Sequence, residues 1–185
     1  MKRHPQILDR KHTALLIVDV QEKINAVMMH GNLVVDSILK LIKACQTLNV
    51  AIFITEQYPK GLGPTEPKIL QALQGQSPLQ KMTFSCCGSQ EFLEKINGQN
   101  IKQVIVTGIE SHVCVQQTAL DLLVQEIQVH IPKDAVSSRK ELDYQTALER
   151  MSNAGVVLTS VEALLFELLQ EAGTPEFKEV VKLIN

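Results

Sequence analysis

Five apolar residues in a row, Ala14-Leu15-Leu16-Ile17-Val18, stop at a carboxylate, Asp19. A run with no polar alternation fits a strand covered on both faces, and such strands belong to parallel sheets whose crossovers are helices. The next segment agrees. Residues Val34–Leu48 set Val34, Val35, Ile38, Leu41, Ile42 and Cys45 at helical spacing, and a second buried run follows over Val50–Thr55. The same alternation predicts strands over Leu79–Met82, Gln103–Thr107, Ile127–Ile131 and Val156–Leu158. Helices are expected near Ile69–Leu73 and over Ser89–Ile96, Ser111–Gln125, Arg139–Ala154 and Val161–Leu169. Because parallel crossovers are right-handed, this order implies a three-layer α/β/α fold, with an open, mostly parallel sheet of about six strands. Tyr58–Pro67, with Gly61, Gly63 and three prolines, is expected to be a long irregular loop, either closing over substrate or lying in a subunit contact. No internal repeat or linker interrupts the pattern, so residues 1–185 are read as one domain. Glu176–Ile184 is expected to pack on the body or on another subunit.

With 18 basic against 20 acidic side chains the formal charge is −2. That balance offers no sustained positive field for a phosphate backbone, and the short basic pairs Lys2-Arg3 and Arg10-Lys11 do not make a nucleic-acid arm. Nucleic acid is therefore set aside as the main partner. The apolar runs are too short for a signal peptide or a membrane span, which predicts a cytoplasmic protein. Cys45, Cys86, Cys87 and Cys114 lack paired metal spacing and are expected to be free thiols, with Cys86 and Cys87 in packing roles. His4, His12, His30 and His130 are scattered and form no ligand set, so no metal is expected. No glycine-rich phosphate loop follows any strand, so no cofactor is expected either.

In open parallel sheets, sites form beyond the carboxyl ends of the strands. Three polar residues stand there: Asp19, Lys81 and Cys114. Taken singly, each also fits a plainer role, as a turn residue, a surface charge and a small core residue. With Ser111 as helix N-cap, Cys114 falls in the first turn, where free amides and the helix dipole favour a thiolate. Thr118, Asp121 and Gln125 continue its stripe, which is polar rather than apolar. Together the three have complementary chemistry: Asp19 takes the thiol proton, Lys81 holds negative charge, and amides around Glu110 and Cys114 cradle an oxyanion. A receiver-like signalling module shares strand-end Asp and Lys residues, but the acidic cluster expected at the first strand is missing.

Four segments in order extend this reading: Leu15-Leu16-Ile17-Val18-Asp19-Val20-Gln21, Lys81-Met82-Thr83-Phe84-Ser85, Val106-Thr107-Gly108-Ile109-Glu110-Ser111-His112-Val113-Cys114-Val115, and Asp134-Ala135-Val136-Ser137-Ser138. In these the sequence resembles the isochorismatase-like cysteine hydrolase superfamily, which includes nicotinamidases and N-carbamoylsarcosine amidohydrolase-like enzymes. The resemblance implies a Rossmann-like sheet, a homo-oligomer, a catalytic triad of Asp19, Lys81 and Cys114, and a cis peptide between Ile109 and Glu110. It further implies a cofactor-free hydrolase of a small amide or related carbonyl compound, acting on a non-peptide C–N bond. Gln21, Phe84 and His112 are the candidate substrate-pocket residues. Where nicotinamidases carry metal-binding histidines, this chain reads Thr55-Glu56-Gln57-Tyr58-Pro59, so metal-assisted binding is not expected. Vinyl ether hydrolysis of the isochorismatase type and a non-enzymatic oligomeric scaffold are the alternatives.

Overall fold

The computed structural model describes residues 3–184; Lys2 of the first basic pair lies outside them. Its centre is a seven-stranded, entirely parallel sheet. The strands are β1 (Thr13–Val18), β2 (Ala51–Gln57), β3 (Leu79–Lys81), β4 (Gln103–Ile109), β5 (Gln128–Pro132), β6 (Val136–Ser137) and β7 (Val157–Thr159). The order is β3-β2-β1-β4-β5-β7, and β6 pairs with the far end of β4 at Gly108 and Ile109. The six expected strands are present. The seventh, β6, has two residues, too few to show a period in sequence.

Every residue of β1 is buried, and its side chains divide between two cores. Leu15 and Ile17 meet Val34, Ile38, Leu41 and Ile42 of α2 (Gly31–Leu48), together with Leu164, Leu165 and Leu168 of α8 (Val161–Leu169). Ala14, Leu16 and Val18 meet Phe92 and Ile96 of α5 (Gln90–Gly98), Ala119 and Leu122 of α6 (Gln116–Val124), and Leu148 and Met151 of α7 (Glu141–Asn153). Period-two alternation thus feeds two apolar layers from one uninterrupted apolar run. The long helix α2 stops at Asn49, whose left-handed backbone (φ 56°) returns its N–H to the Cys45 carbonyl.

Two local expectations change, and one short turn is new. The loop after β2 contains a helical turn, α3 (Pro59–Leu62), started by proline and ended by Gly63 at φ +80°, and α4 (Pro67–Ala72) follows it. A four-residue turn, α1 (Glu22–Asn25), follows β1. The helix expected from Ser111 instead opens as a π-helical turn, Ser111–Val115, before α6. The C-terminal segment forms α9 (Pro175–Val180), capped by Thr174. Its Val180 is fully buried in the α2 core, so it packs on the body.

Gly108 pairs with Val18 across the two central strands. Its φ is +107°, and a Cβ there would run into the carbonyl oxygen of Val18. Gly108→Ala is therefore expected to cost ~3 kcal/mol or more, read as a lowered urea midpoint or insolubility.

Candidate active site

The carboxyl ends of β1, β2, β3 and β4 converge on one cluster. Asp19 follows β1 in a left-handed conformation (φ 51°), which turns its carboxylate back over the strand ends. Its two oxygens are both occupied. Oδ2 accepts from Lys81 Nζ at 2.6 Å, and Oδ1 accepts from Thr55 Oγ1 at 2.7 Å. The ion pair is almost wholly buried, with side-chain exposures of 1% and 2%.

Lys81 is saturated with acceptors. Besides Asp19, its Nζ donates to Gln57 Oε1 at 2.9 Å, the Thr83 carbonyl at 3.1 Å and the Phe84 carbonyl at 2.9 Å. Four oxygens share three N–H bonds, so this ammonium acts on its surroundings through charge rather than through a spare proton. Gln57 lies in register with Lys81 across β2 and β3. Its own N–H2 donates to the Met82 carbonyl at 2.9 Å, which fixes the oxygen end of the amide toward the lysine.

Cys114 comes from the π turn after β4 and is 7% exposed. Its thiol lies beside the Asp19 carboxylate, near enough for each group to shift the other's titration. Burial pushes the thiol well above the usual range and the neighbouring carboxylate pushes it further, while the Lys81 charge pulls it down. Asp19 is likewise raised by burial, against the charge and hydrogen bond of Lys81 and the donors Thr55 and Cys114. The thiolate expected from the helix dipole is thus not the resting form. A neutral thiol faces a carboxylate, and the proton moves only when something draws it.

The π turn explains the local backbone. The Glu110 carbonyl accepts from the N–H groups of Val113 (3.1 Å) and Val115 (3.2 Å), passing over the amide of Cys114 between them. The Ile109–Glu110 peptide is cis. Ser111, expected as a side-chain cap, makes no cap bond; its hydroxyl is buried without a partner. The Glu110 carboxylate is buried and turned to Arg139, whose Nε donates at 3.0 Å and whose backbone N–H donates at 3.2 Å.

The three candidate pocket residues separate. Gln21 is fully buried, and its amide is spent on the Gln57 N–H, the Gln57 carbonyl and the Gly63 carbonyl. It braces the loop after β2 and has no group left for a substrate. Phe84 is 53% exposed on the rim, and its carbonyl serves Lys81. The ring of His112 is held by Ser138 Oγ at 3.0 Å and lies 3.9 Å from Asp143. Thr55, Gln57 and Cys86 were not marked by the sequence. The two β2 residues carried a signal, a polar pair two positions apart at the end of a buried strand, which puts both on one face.

Among the described residues, no group of three or more His, Cys, Asp and Glu side chains is placed to hold a metal. In Thr55-Glu56-Gln57 each side chain is committed, to Asp19, to Thr65 and to Lys81. No helix among the described residues is long and apolar enough to cross a membrane. A separate cleft of about 630 Å3, lined by Arg3, Lys11, His12, Lys102 and Gln103, lies at the amino ends of the strands and contains none of the cluster.

Comparison with known proteins gives a consistent answer. Isochorismatase domain-containing protein 2 of Danio rerio is 40% identical over 177 residues, 96% of this chain and 89% of that protein. A structure described as MAR1 ribonuclease from Caenorhabditis elegans superposes with a TM-score of 0.89 at 38% identity, covering 96% of this chain and 91% of that one. The YcaC gene product of Escherichia coli, described as an octameric hydrolase of unknown specificity, shares the fold at a TM-score of 0.89 and 20% identity, over 98% of this chain and 92% of that one. The isochorismatase domain model matches residues 13–163, which run from the first residue of β1 into α8 and include all three strand-end groups. On sequence and fold together, the chain belongs to the isochorismatase-like hydrolase family.

Proposed function

We propose that the protein is a cysteine hydrolase of a small amide or related carbonyl compound, working without a cofactor. The observation that carries this is the placing of the Cys114 thiol beside a buried carboxylate that is held by Lys81 and Thr55. Asp19 accepts the thiol proton as Sγ attacks the carbonyl carbon. The resulting oxyanion lies beside the turn, where the Cys114 amide passed over by Glu110 and the amide of Glu110 itself serve as donors. Collapse breaks the C–N bond, and Asp19 returns the proton to the departing amine. Water then attacks the thioester and gives its proton to Asp19, and the acid leaves as the thiol is restored. Lys81 keeps Asp19 in place and offsets negative charge through space. The open rim at Phe84 and the near-neutral net charge favour a small uncharged or weakly charged substrate.

The ribonuclease description of the Caenorhabditis elegans structure supplies a second substrate class. The −2 charge weighs against it, and RNA belongs in the assay panel as the competing arm. Assembly into a homo-oligomer is part of the same proposal. It is supported by the octameric Escherichia coli neighbour and by large exposed apolar side chains at Val124 and Leu142.

Iodoacetamide labelling tests the activated thiol without knowledge of the substrate. Cys114 is expected to alkylate faster as pH rises through the raised Asp19 titration, because only the carboxylate accepts the proton. Asp19→Asn should slow Cys114 labelling at least about tenfold at pH 7 and flatten that rise, followed by peptide mass spectrometry. Identical profiles for the two proteins would remove the base from the mechanism.

A further inference from the structure

A buried thiol that the mechanism does not use touches the same carboxylate at one remove. Cys86, in the short turn after β3, is fully buried, and its Sγ lies 3.6 Å from Thr55 Oγ1. Its backbone N–H donates to Thr118 Oγ1 at 2.9 Å, one helical turn beyond Cys114, which seats the thiol against the helix that carries the nucleophile.

The direction of this chain is forced by its proton count. Thr55 has one hydroxyl proton, and it goes to Asp19 Oδ1 while Asp19 is a carboxylate, since a carboxylate only accepts. Toward Cys86 the Thr55 oxygen is then the acceptor and the thiol the donor. Once Asp19 holds the proton of Cys114, both contacts can run the other way. The carboxylic acid donates to Thr55, and Thr55 donates to Cys86 Sγ. No proton leaves the chain and no bond is broken; only the donor and acceptor roles exchange.

We propose that Thr55 and Cys86 form a reversible hydrogen-bond relay that keeps Asp19 partnered both before and after it takes the nucleophile's proton. They are positioning residues, acting on the reaction through Asp19. The inference rests on the reading of Asp19 as the base. The alternative, an Asp19 to which Thr55 can only donate, would leave the carboxyl proton with the reacting sulfur and the departing amine as its acceptors in the middle of each turnover.

The titratable and charged groups facing Asp19 are Lys81 from β3, Cys114 from the π turn and, through Thr55, Cys86. Burial raises the Cys86 thiol to about 11, so it remains a neutral partner across the working range. The two ends of the relay predict shifts of opposite sign. Thr55→Val removes a donor to the ionised carboxylate, so Asp19 ionises later. Cys86→Ala leaves that donor but removes the terminal acceptor of the protonated form, so Asp19 ionises earlier.

The experiment follows the pH dependence of iodoacetamide labelling at the Cys114 peptide in full-length protein, with circular dichroism confirming that each variant is folded. The midpoint is expected to rise by about one pH unit in Thr55→Val and to return to the wild-type position in Thr55→Ser. It is expected to fall by roughly half a unit in Cys86→Ala and to be restored in Cys86→Ser. If Thr55→Val does not fold, the Cys86→Ala and Cys86→Ser pair carries the test. Midpoints that do not move, or that move the same way in both variants, overturn the relay. If Asp19→Asn flattens the profile while the relay variants leave it unchanged, the relay alone falls. If Asp19→Asn labels like wild type, the base assignment falls with it.

Discussion

Cys114→Ala is expected to abolish hydrolysis, lowering turnover of any amide that the wild type cleaves by at least about a thousandfold with little change in thermal stability. The side chain is small, so although Cys114 is buried, removing its sulfur opens little space in the core. The loss falls on the bond-forming atom. The measurement is product release from a panel of small amides, with RNA as an added arm, for wild type and variant in parallel. Amide turnover that survives in the variant would assign the chemistry to another group. RNA cleavage lost in the variant, without any amide turnover, would move the site to the ribonuclease reading.

Lys81→Met is expected to be the most destabilising change in the cluster, by ~3–5 kcal/mol near neutral pH, because it strands Asp19 as an unpaired buried carboxylate. The sign of its pH dependence follows from Asp19. Its folded-state titration is already raised above the ordinary 3.8, by burial outweighing the charge and hydrogen bond of Lys81. Removing the lysine raises it further. A carboxyl raised on folding contributes stability that is present below its unfolded value and lost as pH rises toward the folded one. The deficit of Lys81→Met relative to wild type should therefore grow from pH 4 to pH 8 in urea unfolding. Cys114 labelling should also fall, since a protonated Asp19 cannot take the thiol proton. A deficit that shrinks with pH would mean that the lysine is not what permits the charge.

The strand-end groups were legible because uninterrupted apolar runs announce two-sided burial, and any polar residue that closes such a run stands where parallel sheets place their chemistry. Asp19 was found in that way; Lys81, preceded by Gln80, was found only by its place at the end of a short strand. The state of the nucleophile was not legible: the helix-dipole argument weighs field against field, whereas the burial that dominates at Cys114 comes from packing by distant segments. The exchange of an ordinary first helical turn for a π turn also escaped, because one additional residue in a turn leaves the apolar spacing of the following helix intact. Thr55 and Gln57 were hidden for a different reason. Each lies at the end of a run already explained as a strand, and their partners, Asp19 and Lys81, come from two other strands.

The segment after β2 is stitched down along its length. Gln21 holds Gly63 and pairs with Thr65, Lys23 reaches the Gly61 carbonyl, Asn25 reaches Glu66, and Glu56 accepts two bonds from Thr65. A stretch anchored at so many points behaves as a fixed bracket and cannot swing away as a gate. Molecular traffic to Cys114 must then pass on the opposite bank, where Met82 and Phe84 stand free, and attempts to retune selectivity should begin with those two side chains.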